Sequence, residues 1–142
     1  DEMSEELLKK WQSQLRKGSL ELCILGLIGQ SDTYAFAMIQ ALQTAGQTIT
    51  EGALYPLLKR LQKEGLVETY WCESESGPPR KYYRLSDSGK NVLGLMASEW
   101  HDFAAFVNQI LKGEHNANTI EDRTAQKLPL EIGKATSDSA QG

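Results

Sequence analysis

Cysteine, histidine and proline are scarce in this chain, and long apolar runs are missing altogether. Two cysteines, Cys23 and Cys72, stand among 142 residues. Neither belongs to a Cys-x-x-Cys pair or a His/Cys cluster, and no secretory signal accompanies them. That argues against a disulfide scaffold or a thiolate metal site, and for two reduced thiols in a cytoplasmic protein, one in a helix core and one in a sheet. The two histidines, His101 and His115, lie far apart and face no nucleophile or acid at a catalytic spacing. There is no glycine-rich phosphate loop and no metal-ligand spacing. The chain is therefore expected not to be an enzyme, with no cofactor and no metal. The longest apolar stretch, "LELCILGLIG" at 20–29, is about half the length of a bilayer span. No membrane partner is expected.

An excess of positive charge is lacking as well. The formal net charge is −4, a mild argument against nucleic acid as a partner. Placement weighs more than the sum. Residues 1–112 hold 14 acids and 12 bases, and eight of those bases sit in three short clusters. The clusters are Arg16-Lys17, Lys59-Arg60 with Lys63, and Arg80-Lys81 with Arg84. Folding that gathers them would give a near-neutral domain one basic face.

What is present is periodic pattern. Residues 4–16 read as an N-terminal helix, capped by Ser4, with Leu8, Trp11 and Leu15 on one stripe. Gly18-Ser19 predicts a break. A second helix follows over 20–29, apolar nearly all round and stopped by Gly29. A third, capped by Asp32 or Ser31, is expected at about 33–44 with Tyr34, Met38, Ile39 and Leu42 inward. The fourth is "TITEGALYPLLKRLQKEGL". Thr50 is its cap, Ile49 and Leu54 have the spacing of a hydrophobic staple, and Gly65 is its stop. Leu54, Leu57, Leu58 and Leu61 form the buried face. Tyr55, Lys59, Gln62 and Lys63 fall opposite. Pro56 predicts an irregular first turn.

Two alternating runs then read as a hairpin. "LVETYWCE" at 66–73 puts Val67 and Trp71 on one side, and "RKYYRL" at 80–85 puts Tyr83 and Leu85 on one side. Between them "SESGPP" supplies turn residues and a stiff return strand. A last helix, capped by Ser86 or Asp87, runs to about 112. Val92, Met96, Trp100, Phe103, Val107 and Ile110 recur every three or four residues. Too little protein follows to cover that stripe, and a second copy of the chain is the economical solution. The alternative is that the helix folds back over its own domain. Residues 113–142 lose periodicity and read as a polar, flexible tail.

Three helices, a hairpin and a long helix make a mainly α fold with a small β-hairpin. The order is that of a winged helix-turn-helix over 17–86, with an N-terminal helix at 4–16 and a dimerisation helix at 87–112. The helix before the hairpin is then the one that enters a major groove of double-stranded DNA. Thr50 and the N–H groups beside it suit a phosphate, and Tyr55 suits base edges or sugar. Lys59, Arg60 and Lys63 suit the backbone. Arg80 and Lys81 stand at the base of the wing, and Lys17 completes the set.

"LYPLLKRLQKEGLVETYW" followed by "GPPRKYYRLSDSGK" resembles the PadR family of bacterial transcriptional regulators, over about 17–111. The resemblance implies a homodimeric repressor of a pseudo-palindromic operator. It also implies dimerisation through the last helix assisted by the first, which brings Leu8 and Trp11 into the seam. The length resembles the shorter subfamily. Gly77-Pro78 stands where the family often has Gly-Arg, and Ala35-Phe36 where it often has Gly-Tyr. Some members bind flat aromatic or cationic effectors at the seam. The matching residues here are Trp100, with Met96 beside it and Trp11 from the first helix, and with Glu99 and Asp102 near. Trp100 as plain interface filling is the other reading. A winged helix that binds protein without specific DNA binding is the alternative for the whole chain.

Overall fold

The computed structural model describes residues 1–114. The element order is α1 (Glu2–Gln30), β1 (Thr33–Tyr34), α2 (Ala35–Thr44), α3 (Glu51–Lys63), β2 (Val67–Ser74), β3 (Gly77–Leu85) and α4 (Asp87–Leu111). The chain divides into two units, Asp1–Ser98 and a second that begins at Glu99. Most of the tail expected over 113–142, with His115, lies outside the described residues.

The fold is mainly helical with a small antiparallel sheet, a winged helix. The core of the first unit is apolar throughout. Ile24, Leu25 and Ile28 of α1 meet Met38, Ile39 and Leu42 of α2 and Leu54, Leu58 and Leu61 of α3. Leu66, Val67, Tyr83 and Leu85 close it from the wing, and Leu57 and Ile49 pack partly against it.

Four expectations about elements need correction. The break at Gly18-Ser19 is absent, and α1 is one helix of 29 residues. Ser19 does not cap a new helix. Its hydroxyl donates back to the Leu15 carbonyl at 2.9 Å, a bond that keeps serine inside a helix. The cap of α1 is Asp1, whose carboxylate accepts from the Ser4 N–H at 2.7 Å, so the helix starts one turn before the Ser4 cap expected. Gly29 does not stop the helix either. A Cβ there would stand 2.8 Å from Leu93 Cδ2 and 3.3 Å from Leu85 Cδ1, so the position is small because α4 and β3 press on it.

The fourth correction is a strand. Thr33 and Tyr34 do not open a helix but pair with Tyr83 and Tyr82. The sheet has three strands in the order β1-β3-β2. β-Branched and aromatic side chains suit that pleated setting. α2 begins only at Ala35, with no side-chain cap.

α3 follows its pattern closely. Thr50 Oγ1 accepts from the Ala53 N–H at 3.2 Å. At the other end Gly65 takes φ 77°. Its N–H reaches the Gln62 carbonyl at 3.0 Å and the Leu66 N–H reaches Leu61 at 2.9 Å, the paired bonds of a Schellman stop. Pro56 sits inside the helix without ending it.

α4 starts in a tight knot. Ser86 Oγ donates to the Gly65 carbonyl at 2.6 Å and accepts from the Gly89 N–H at 3.0 Å. The Ser86 N–H donates to the Leu66 carbonyl at 3.1 Å. Gly89 is buried, and a Cβ there would collide with the Leu66 carbonyl oxygen, a backbone atom that has nowhere to go. Gly89→Ala should therefore lower stability by about 1–3 kcal/mol or more, as overpacking does. Gly18→Ala, with open space around its Cβ position, should raise it by roughly 0.5–1 kcal/mol. Thermal melts of the two variants beside the parent check both signs.

Candidate nucleic-acid interface

α3 presents three side chains outward from a helix whose opposite face is fixed in the core. Tyr55 is 50 % exposed, and Lys59 and Lys63 are exposed. Thr50 holds the N-terminus with its hydroxyl oxygen, which leaves its hydrogen available to an acceptor. Arg60 behaves differently. Its guanidinium reaches Glu21 of α1 through both terminal nitrogens at 3.3 Å, and Glu64 at 3.0 Å. The Glu21 hydrogen bond, then its charge, holds the guanidinium pKa above the usual value. To reach a phosphate, Arg60 would have to leave two carboxylates. Lys17 is exposed one helical turn before Glu21, so it lies on the side of α1 that faces α3.

The wing sorts its residues by strand alternation. Val67, Thr69 and Trp71 of β2 stand opposite Leu85, Tyr83 and Lys81 of β3. This face begins in the core and runs outward. Tyr83 is buried, and its phenol pKa is raised by desolvation first and by Tyr55 second. This face packs against α3, with Val67, Tyr83 and Leu85 in one cluster with Leu54, Leu58 and Leu61. Lys81 stands on the same face, its amine 5.7 Å from the Tyr83 ring centre.

The other face is an aromatic ladder. Tyr34, Tyr82 and Tyr70 lie side by side across the three strands. Tyr70 stacks on Tyr82 with centres 5.6 Å apart, and Tyr34 tilts against Tyr82 at 5.3 Å. Arg80 lies over the Tyr34 ring at 4.6 Å and Arg84 over Tyr70 at 5.3 Å. Arg84 also approaches Glu68 at 3.8 Å. The Tyr70 hydroxyl donates to Asp32 at 2.7 Å. That bond, with lesser desolvation, raises the Tyr70 pKa. Arg80 and Lys81, neighbours in sequence, thus occupy opposite faces.

The residues expected at a subunit seam fall into two groups. Val92 and Met96 pack partly against the first unit's own core. Leu8, Trp11 (56 % exposed), Trp100, Phe103 (58 % exposed) and Ile110 are exposed, and Val107 is half-buried. Both thiols are free and exposed. Cys23 is not the core residue its apolar run suggested, because Ile24, Leu25 and Ile28 take the buried side of α1. Among the described residues no group of His, Cys, Asp or Glu is placed to hold a metal ion, and no helix is long and apolar enough to cross a membrane.

Pattern reading missed two side chains. Asp32 was expected to cap α2 and instead anchors Tyr70. Trp71 shares a side with the buried Val67, as the alternation gives, yet is 69 % exposed. Alternation gives it the right face but not the distance to which the domain body covers that face.

Residues 24–95 match the family described as Transcriptional regulator PadR-like family. The chain belongs to the PadR-like family of transcriptional regulators. A protein from Lysinibacillus sphaericus is 30 % identical over 72 % of this chain and 96 % of its own. A PadR family transcriptional regulator from Eggerthella lenta is 31 % identical, covers 78 % of this chain and 97 % of that one, and superposes with a TM-score of 0.70. A PadR-like transcriptional regulator from Bacillus cereus is 39 % identical over 69 % of this chain and 96 % of that one, with a TM-score of 0.65. The PadR-like assignment makes the chain a DNA-binding regulator.

Within this PadR-like wing, the Tyr70–Asp32 bond ties β2 to the chain just before β1. Tyr70→Phe should keep the fold and raise amide hydrogen exchange in β1 and the outer half of β2. Unchanged exchange would show that ring stacking alone holds the wing.

Proposed function

We propose that the protein is a cytoplasmic homodimeric repressor that binds a pseudo-palindromic operator through two copies of α3. One observation carries the reading. Tyr55, Lys59 and Lys63 stand exposed on α3 beside the wing face that bears Lys81, so one groove-sized helix and a cationic strand share a corner of the fold. In this reading Thr50 gives its hydroxyl to a phosphate at the helix N-terminus, where N–H groups favour an anion. Tyr55 meets base edges or sugar. Lys59, Lys63 and Lys17 meet the backbone, and Arg60 holds α3 to α1. Lys81 and Arg80 reach flanking phosphates from the two faces of the wing.

Two apolar stripes support the dimer. On α1, Leu8, Trp11 and Leu15 are exposed; on α4, Trp100, Phe103 and Ile110 are exposed. Large apolar side chains repeated at helical spacing are what a second helix covers. A planar aromatic or cationic effector remains part of this reading. Trp100, flanked by Glu99 and Asp102 and one turn from Met96, is its candidate on α4, and Trp11 its candidate on α1.

Binding of the chain to a duplex from its own upstream region tests the reading. Affinity should fall steeply as salt rises. Lys59→Ala should weaken binding to every sequence and flatten the log–log salt slope by about one unit. A protein-interaction module would show neither effect, and an unchanged slope would remove Lys59 from the groove. Phe103→Asp should yield monomers by light scattering, since a carboxylate cannot be buried unpaired in a seam. A persisting dimer would put the seam elsewhere.

A further inference from the structure

We infer that Trp71 is a DNA contact, packing its indole on the sugar–phosphate wall of the duplex beside the groove that α3 enters. The inference rests on the DNA-binding reading above and adds to it a residue whose contribution is apolar.

Trp71 is 69 % exposed in the middle of a strand. A tryptophan this exposed presents a broad apolar ring with one polar N–H, a surface suited to a partner that is apolar on one side and an acceptor on the other. Its direction is not free. Trp71 pairs with Lys81, and the next rungs inward on the same face are Thr69 with Tyr83 and Val67 with Leu85. Val67, Tyr83 and Leu85 of this face share one core cluster with Leu54, Leu58 and Leu61 of α3. The Trp71–Lys81 rung is therefore one step further out on the sheet face that packs against α3. The strand cannot rotate to hide the ring. Its neighbour Tyr70 is held on the opposite face by Tyr82 stacking and by Asp32.

The chemistry of the rung selects the occupant. Indole has one N–H donor and no acceptor, and Lys81 has donors only. Every polar group the rung offers thus asks for an acceptor, and the amine asks for negative charge. Glu73, further along, falls in the register shift between Cys72 and Ser74. A subunit seam would deplete charge at its centre, whereas here a cation is directly opposite the ring. A phosphate oxygen with the apolar face of the adjoining deoxyribose satisfies both side chains at once. The lysine supplies charge, and the ring supplies area that salt does not screen.

The full chain, with Trp71→Ala, Trp71→Phe and Lys81→Ala variants, is titrated with a mixed-sequence duplex across a salt series. Trp71→Ala should bind about tenfold more weakly, the loss of one well-packed aromatic anchor, with the parent's salt slope. Trp71→Phe should recover most of the loss, and Lys81→Ala should flatten the slope instead. Matching melting curves show that the fold is kept. In chain labelled with 5-fluorotryptophan, the fluorine signal missing from Trp71→Phe should shift when duplex is added. Parent-like affinity of Trp71→Ala, or a Trp71 signal blind to duplex, overturns the inference while DNA binding stands. A parent chain that binds no duplex at low salt overturns DNA binding and the Trp71 contact together.

Discussion

One backbone junction governs how the described parts of the first unit can sit. Where α3 ends, the Gly65 and Leu66 carbonyls turn to meet Ser86, and Gly89 lies so close that no side chain fits. The contact joins the stop of α3, the base of the wing and the first turn of α4. Val67 pairs with Leu85 at the same place, so the wing opens from the knot itself. Every polar group in it is used, and that matters because a buried N–H or carbonyl without a partner is costly. A small shift of any one element would break bonds in the other two.

The wing inherits its rigidity from that base and from its back. Three tyrosine rings side by side, with an arginine over each outer ring, leave the sheet few ways to flex. Stacked and tilted aromatic pairs add to simple burial, and guanidinium over a ring adds more. A wing held this way loses little entropy when its front face meets a surface. Ordering the back of the sheet is thus part of how the front works, although none of the three tyrosines needs to touch DNA.

Much of this was legible from residues alone, wherever punctuation and period agreed. α3 carries a cap at Thr50, a stop at Gly65 and leucines repeating at helical spacing, and all three signals name one element. The hairpin shows alternation on both strands, although the turn is Glu75-Ser76 and Gly77 already pairs with Ser74 as the first residue of β3. What escaped has identifiable causes. Gly18-Ser19 has the composition of a stop, but serine can bond backward and glycine is tolerated in a long helix. β1 is two residues long, below the reach of any period, and exists because Tyr82 and Tyr83 offer an edge. Arg60 reads as a groove cation until Glu21, 39 residues earlier, arrives beside it. The exposure of Trp71 is not legible because alternation reports a side chain's face and not what covers it.

The acidic balance of the chain can be reconciled with a polyanionic partner through the division between its two kinds of cation. Arg60 pairs with Glu21 and Glu64 and Arg84 with Glu68, while Arg80 lies over the Tyr34 ring and keeps its charge. Planar guanidinium suits such forked and stacked contacts. Lys17, Lys59 and Lys63 remain at the surface as flexible point charges. Net charge therefore does not describe the local field, because Arg60 and Arg84 are paired with acids, whereas among the described residues no ion pair engages Lys17, Lys59 or Lys63. With so few cations left over, electrostatics alone gives modest, salt-sensitive affinity. In the proposed dimer a second copy doubles that number without new sequence, and the inferred indole contact would add binding that ionic strength does not remove. A chain of net charge −4 holds duplex DNA best by combining the two.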